Sequence, residues 1–463
     1  MKRHSCKSNR WENEVLGEVD LTSPEELISI LKKSKKAFTI WSTVSTWERV
    51  QTISSFLEIY KDNASKLAIN ISKEIGKPLS QAMSDIDYDI AYLQRHIDNA
   101  EKILDCEIVF EDDTSKHIQY FEPKGVAAVI SPRNFPSSQF IWQVIPPLLA
   151  GNTIIYKPAS ACMRSAKLIS DLLISVLPTN TFQLVLGDSE LGNSLVQLET
   201  DMTIFTGSSD VGHKISNING NSMKPSYLEL WGNAPGIVLS DAIIDNQMMN
   251  TLDQFRIQHS GQICDGLKRL FVHRSRYHEL IDKIKITFSD YNIGNPLDKN
   301  THIGCLINTT AYDKIQKSLD DVSMQWVDII SLWKYDNTVG PFIPFALLLN
   351  PENNDVLSKS VFMMEEIFAP ILPIIAFDTI EEAIQMANDS KFGLGWYVRW
   401  SDNQIINSLC KQLRTWNINI NNTNYVLPQI PFGGYTRMSG NFREHGKTGL
   451  RDYTETKILS MPK

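Results

Sequence analysis

Six cysteines stand at positions 6, 106, 162, 264, 305 and 410 of this 463-residue chain. None forms a C-x-x-C pair or lies at zinc-finger spacing from a histidine, so no metal site is expected. That usage fits a reducing compartment, where each thiol is a small buried hydrophobe or a nucleophile. Cys264 ends the segment SGQIC (260–264); a lone cysteine in such a run is more often packing than chemistry. Pairing it with His259 in a Cys–His protease is disfavoured, because such partners are usually remote in sequence. Cys6 falls in an N-terminus expected to be loose. For a nucleotide, both G-x-G-x-x-G and the Walker A loop are absent. FTGSSDVG (205–212) is the remaining candidate, a strand ending in a Gly-Ser turn that enters a helix. Helix N–H groups there, approached closely because Gly207 lacks a side chain, suit a pyrophosphate. By itself the segment reads more readily as a plain turn, since Gly-Ser turns after strands are common.

These residues need elements to hold them. Ser23-Pro24-Glu25-Glu26 reads as an N-cap, a proline at N1 and a capping-box glutamate, opening a helix to about residue 36. A second helical stretch runs from about 46 to Gly76 with a break inside it, and Pro78 follows as a stop signal. A third covers 80–104. Residues 106–123 alternate apolar and polar on both sides of 111–115, which predicts a β-hairpin. From Gly125 onward strands and helices alternate, with strands at 125–130, 152–157, 183–187 and 202–207 and helices at 137–149 and 162–177. A second series has strands at 237–240, 268–273, 370–377 and 418–420. This is the pattern of an α/β fold with parallel sheets covered by helices on both faces.

Length argues for two or three domains. Lys and Arg number 45 against 53 Asp and Glu, a net charge of −8, so neither nucleic acid nor a membrane surface is expected as a partner. No apolar run approaches the ~18 residues that span a bilayer. Lys2, Arg3, Lys7 and Arg10 precede no apolar h-region, so no secretory signal is read and the cytoplasm is expected.

Five further segments accompany FTGSSDVG, in a fixed order: SPRNFP (131–136), GNTIIYKPAS (151–160), LEL (228–230), SGQIC and EEIFAP (365–370), with PFGG (431–434) after them. Together they resemble the aldehyde dehydrogenase superfamily from about Trp47 to Ile458. The resemblance implies an α/β fold with a Rossmann-like cofactor domain (1–104 and 124–230) and a catalytic domain (231–440). The hairpin at 105–123, with 441–463, would form a small β oligomerisation element. An exposed hairpin offers strand edges that a second subunit can cover, so a homodimer or homotetramer is expected. The implied activity is oxidation of an aldehyde to a carboxylic acid with NAD or NADP. Cys264 would attack the aldehyde carbon to give a thiohemiacetal. Asn134 and the backbone N–H of Cys264 would stabilise the oxyanion. Loss of hydride would leave a thioester, and Glu229 would activate the water that hydrolyses it. Lys157 is implied at the adenosine ribose, Gly207 and Ser208 at the pyrophosphate, Glu366 at the nicotinamide ribose and Phe368 beside the nicotinamide. Ser160 stands where many NAD-preferring relatives carry a glutamate that repels a 2′-phosphate, so NADP is expected to be tolerated or preferred.

The chain departs from that pattern beside the nucleophile. Arg133 replaces a tryptophan and is a candidate anchor for a substrate carboxylate. Trp231 replaces the first glycine after Glu229-Leu230. The stretch from Phe255 to Cys264 is about two residues longer than usual, which predicts a local bulge, and Thr436-Arg437-Met438 carries an extra residue. Trp142, about two helical turns beyond Asn134, is a candidate substrate contact. It favours an apolar or aromatic aldehyde, whereas KPAS and DGLKR (265–269) are similar to bacterial succinate-semialdehyde enzymes. A catalytically impaired member with a binding or structural role is the alternative these departures raise.

Overall fold

The computed structural model describes residues 3–7, 14–333, 340–350, 354–399, 403–421 and 426–463; Lys2 and Arg10 lie outside these. Strands β1 (Arg3–Lys7) and β2 (Val15–Asp20) pair antiparallel. Cys6 is buried there beside Val19, Met163 and Leu186. The N-terminal strand is therefore tied down by apolar contact with the body of the protein, and the expectation of a loose terminus is corrected.

Four helices follow: α1 (Pro24–Trp41), α2 (Thr46–Asp62), α3 (Ala64–Ile75) and α4 (Leu79–Leu104). Ser23 with Glu26, and Ser45 with Glu48, form reciprocal capping boxes that satisfy the first free N–H groups. The break expected in the second helix falls at Asn63, and Gly76 closes α3 with φ 77, a left-handed cap suited to glycine. Strands β3 (Glu107–Glu111) and β4 (Ser115–Pro123) are the expected hairpin. Its turn is held by the Asp112 carboxylate, which accepts from the N–H groups of Thr114 and Ser115, each at 2.8 Å.

The first α/β unit runs β5 (Val126–Ile130), α5 (Pro136–Leu149), β6 (Thr153–Lys157), α6 (Met163–Ile174), β7 (Phe182–Leu184), α7 (Ser189–Gln197), β8 (Met202–Thr206), α8 (Ser209–Gly220) and β9 (Ser226–Glu229). The strands form one parallel sheet in the order β7-β6-β5-β8-β9. The chain order reverses between β5 and β8, and such a switch point opens a crevice at the carboxyl ends of the strands. Asn134, Ser208 and Glu229 all lie at those ends.

The second unit contains β10 (Ala234–Val238), β11 (Leu267–His273), β12 (Asp328–Ser331), β13 (Ala346–Leu349), β14 (Ile371–Phe377), β15 (Trp396–Arg399) and β16 (Ile418–Ile420). Their order is β12-β13-β14-β11-β10-β15-β16, parallel except for β12. Here the chemistry-bearing loops lie at the amino ends. Cys264 precedes β11 and Phe368 precedes β14. The carboxyl edge of one sheet thus meets the amino edge of the other.

Strand β17 (Thr454–Pro462) pairs antiparallel with β4 along its whole length, completing the sheet β17-β4-β3. The segment before it belongs elsewhere. Phe442, Leu450 and Tyr453 are buried in the first unit's core with Tyr92, Phe140 and Ile204, so a small-element boundary at 441 is too early.

The halves also touch backbone to backbone. A Cβ on Gly304 would lie 1.8 Å from the Gly76 carbonyl oxygen, the left-handed cap of α3. The Gly76 peptide cannot yield without moving the end of α3. Gly304→Ala is expected to destabilise the protein by about 1–3 kcal/mol, the usual cost of overpacking, measured as a lowered midpoint in urea unfolding. An unchanged midpoint contradicts this packing.

Candidate active site

The nucleophile loop is held by its own peptide groups. Before it, Asp253–Ile257 form a π-helical turn, the wide-turn geometry that an inserted residue produces. This is the bulge expected from the extra length. His259 (φ 51), Ser260 (φ 54) and Gly261 (φ 70) then lie consecutively in the left-handed region. Two of them are not glycine, a conformation costing on the order of 1–3 kcal/mol each. Outside contacts maintain it: the His259 N–H donates to Gln81 Oε1 at 2.8 Å and Ser260 Oγ to the Gly304 carbonyl at 2.9 Å. Gly261 is required for a second reason, since a Cβ would sit 2.5 Å from the Ala369 carbonyl. His259 itself is buried against the Phe135 ring and is fixed in this turn.

Cys264 is half-buried at the end of this loop. Asn134, buried after β5, donates from Nδ2 to the Gln262 carbonyl at 3.0 Å. Arg133 donates to Gln262 Oε1, also at 3.0 Å. The Gln262 amide in turn donates to the His259 carbonyl at 3.1 Å. The candidate carboxylate anchor is therefore engaged as a tie between β5 and the nucleophile loop.

Glu229, at the end of β9, is 1% exposed. Neither carboxylate oxygen has a hydrogen-bond partner among the described residues. Burial, then the nearby Glu444 and Asp265 carboxylates, push it well above the ordinary carboxylate range, opposed by Arg443. Burial likewise pushes the Cys264 thiol up, helped by Asp265, Glu229 and Glu366 and opposed by Lys268. The Glu229 and Glu366 carboxylates thus both act on the thiol through a low dielectric.

Glu366 accepts the Gly232 N–H through Oε1 at 3.2 Å, while its Oε2 is buried without a partner. Burial raises it to about 8, against the pull of Lys268. Phe368 presents its ring to the Lys268 ammonium at 4.6 Å. Ser208 caps α8 by accepting the Val211 N–H at 3.4 Å, and a Cβ on Gly207 would lie 2.5 Å from the Phe205 ring. Lys157 is buried at the end of β6, donating to the Pro158 carbonyl at 3.2 Å with one of its three N–H groups. Ser160 is exposed and donates to the Gly187 carbonyl at 3.3 Å. An unsatisfied buried carboxylate oxygen, an ammonium with spare donors and the N-terminus of α8 fit a dinucleotide's hydroxyls and phosphates.

Trp142 lies in an aromatic cage. Its ring centroid is 4.7 Å from His445, 5.9 Å from Tyr88, 6.1 Å from Tyr92 and 6.4 Å from Phe432. The Tyr88 phenol is pushed up by burial and by Asp89, Asp265 and Glu444, which sets the cage beside the nucleophile's acidic surroundings. Among the described residues no group of three or more His, Cys, Asp or Glu is placed to hold a metal.

Sequence reasoning missed Asp265, Lys268 and Glu444. Glu444 is buried and accepts from Gln143 Nε2 at 3.3 Å, and Gln143 accepts from Ser131 Oγ at 2.8 Å. The signal available for Asp265 and Lys268 was two opposite charges in a run that must enter a buried strand. Nothing in the sequence marked Glu444.

The Aldehyde dehydrogenase family profile matches residues 2–459. The chain is 30% identical over 459 residues to a glutarate-semialdehyde dehydrogenase of Pseudomonas aeruginosa, covering 98% of this chain and 93% of that one. It is 28% identical to the mitochondrial succinate-semialdehyde dehydrogenase of Oryza sativa subsp. japonica, covering 97% and 84%. An NADP-dependent enzyme of E. coli superposes with a TM-score of 0.93 at 26% identity, over 100% of this chain and 95% of that one. The chain therefore belongs to the aldehyde dehydrogenase family, with the α/β architecture and NAD(P)-dependent aldehyde oxidation that its motif series implied.

Proposed function

We propose that Cys264 is the nucleophile, Glu229 the general base, and Asn134 Nδ2 with the Cys264 N–H the oxyanion donors. The observation that carries this reading is Glu229: a buried carboxylate, free of hydrogen bonds, in electrostatic contact with the thiol. Cys264 Sγ bonds to the aldehyde carbon while its proton passes to the Glu229 carboxylate, and the carbonyl oxygen gains negative charge. That charge is met by two fixed donors in a site with little water, where such donors are worth most. A bound nicotinamide supplies the hydride acceptor. Lys157, Gly207, Ser208, Glu366 and Phe368 would hold and orient the cofactor. Glu229 gives that proton up to solvent before the second half, in which it takes a proton from water as the hydroxyl adds to the thioester carbon; Cys264 leaves as thiolate, recovers the proton from Glu229, and the carboxylic acid is released. The complete residue set supports an active enzyme over an impaired one.

Charge supports a substrate without a carboxylate. The cage around Trp142 consists of neutral rings; burial lowers the His445 pKa to about 3. Asp265, Glu229 and Glu444 lie nearby, and Arg133 is already tied to Gln262. An uncharged apolar or aromatic aldehyde is therefore the proposed class, unlike the semialdehydes named for the relatives. Across a panel of aldehydes, kcat/KM is expected to be at least about tenfold higher for such substrates than for succinate semialdehyde. The reverse order contradicts the proposal.

Ser160 stands where many NAD-preferring relatives carry a repelling glutamate, which supports NADP as tolerated or preferred. Comparing kcat/KM for the two cofactors tests this, and a large preference for NAD overturns it. None of the six cysteines is joined in a disulfide, which supports a reducing compartment and the cytoplasm. No helix among the described residues is long and apolar enough to cross a membrane.

A homodimer or homotetramer is proposed from the outer sheet, where Ile108, Val109, Phe110, Ile458 and Leu459 are each more than 40% exposed. Light scattering of Phe110→Asp with Leu459→Asp is expected to show a smaller species than the unmodified chain. The same mass for both contradicts assembly through this sheet. Because burial and three carboxylates raise the thiol, alkylation of Cys264 in the cofactor-free protein is expected to keep accelerating beyond pH 9.0, the ordinary thiol value. A rate plateau below that pH contradicts the electrostatic reading.

A further inference from the structure

Lys268, the second residue of β11, is 1% exposed, and its side chain turns back under the active-site loops. Its ammonium donates to the Ile263 carbonyl at 2.6 Å and more weakly to the Gly261 and Ile367 carbonyls, both at 3.4 Å. The face of Phe368 lies 4.6 Å away. One buried cation therefore joins the nucleophile loop to the loop carrying Glu366 and Phe368. Arg256 also supports the second loop, donating to the Ile367 and Ala369 carbonyls.

The Ile263 carbonyl and the Cys264 N–H belong to the same peptide unit. A hydrogen bond from an ammonium draws electron density toward that oxygen and leaves the N–H more positive, an effect strongest where the dielectric is low. We propose that Lys268 is a positioning residue for the oxyanion: it polarises the Ile263–Cys264 peptide, strengthening its N–H as a donor, and fixes the nucleophile loop against the cofactor loop. The proposal rests on the assignment of that N–H to the oxyanion. It assigns a task to a side chain that otherwise reads as a charge buried at high cost.

The charged and titratable groups around the ammonium are Cys264 and Asp265 on the nucleophile loop, Glu366 on the cofactor loop and Arg256 on the π-turn. Burial lowers Lys268 to about 8, with Arg256 adding to the effect and Glu366, Cys264 and Asp265 opposing it. The cation is thus present below about pH 8 and lost above it. Polarisation, and the turnover that depends on it, should fade over the same range.

The test compares kcat and aldehyde KM from pH 6 to 10 for the intact chain, Lys268→Met, Lys268→Arg and Cys264→Ala. Expected for Lys268→Met is a fall in kcat of about tenfold or more, below the ~10²–10³ seen on removing a whole oxyanion donor. Aldehyde KM should change less than kcat. Lys268→Arg keeps its charge at higher pH, so it should retain turnover and move the alkaline fall of kcat upward. A merely structural lysine would not move that limb. The proposal is overturned by Lys268→Met with kcat within twofold of the intact chain, or by an alkaline limb that Lys268→Arg leaves in place. Should Lys268→Met fail to fold, the limb in Lys268→Arg decides alone. Turnover retained by Cys264→Ala is a different failure, because it removes the nucleophile assignment on which the proposal stands.

Discussion

Hydrogen bonds to the carbonyl oxygens of residues 259–263 hold the nucleophile loop between the two α/β units. The Gln262 carbonyl takes Asn134, the Ile263 carbonyl takes Lys268 and the His259 carbonyl takes the Gln262 side chain. These bonds originate in different parts of the chain, at the end of β5, on β11 and within the loop itself. With the Gln81 and Gly304 contacts to His259 and Ser260, they compensate for the left-handed backbone there, which no local preference supports. Were they lost, the peptide carrying the Cys264 N–H would be free to turn. Every later feature, including the oxyanion donors and the contact with the Glu366 loop, depends on that peptide's orientation.

The second constraint is electrostatic. Glu229, Asp265 and Glu366 act on one thiol, with Glu444 acting in turn on Glu229, and the low dielectric makes simultaneous ionisation costly. Burial is the first cause of the raised pKa values of Glu229, Glu366 and Glu444, the last two drawn to about 8 and 7. Lys268, Arg256 and Arg443 offset part of the negative charge. Carboxyl groups displaced toward neutral pH can accept and return protons where a freely solvated glutamate would stay ionised. The same crowding that disfavours a thiolate at rest therefore provides a nearby proton acceptor.

Much of the fold was legible because buried parallel strands read as short β-branched runs. VAAVI and TIIYK became β5 and β6 as expected, and the change to alternation at 106–123 marked the hairpin. What escaped had weaker patterns. β1 is polar and marked by no periodicity, and its order comes from Cys6 reaching a pocket built by Met163 and Leu186. WYVR (β15) is too short to separate from the turn before it. At the site, Cys264, Asn134 and Glu229 were legible only through the order of the motifs around them. Glu444, Lys268 and the cage partners of Trp142 act through burial and contact between remote segments, which no local spacing encodes. Arg133 illustrates the converse: its type suggested a substrate anchor, while its hydrogen bond to Gln262 gives it a place in the scaffold.

The central claim is covalent catalysis by Cys264 with hydrolysis driven by Glu229. The most direct measurement is the mass of Glu229→Gln protein quenched in acid after mixing with aldehyde and NADP, followed by peptide mapping. Given a mixing time long enough for attack without the Glu229 proton acceptor, the expected result is one acyl group per active chain, on the peptide containing Cys264 and absent without cofactor. An unmodified Cys264 peptide in a variant that still reduces its first equivalent of cofactor would contradict the claim, as would acylation of another residue.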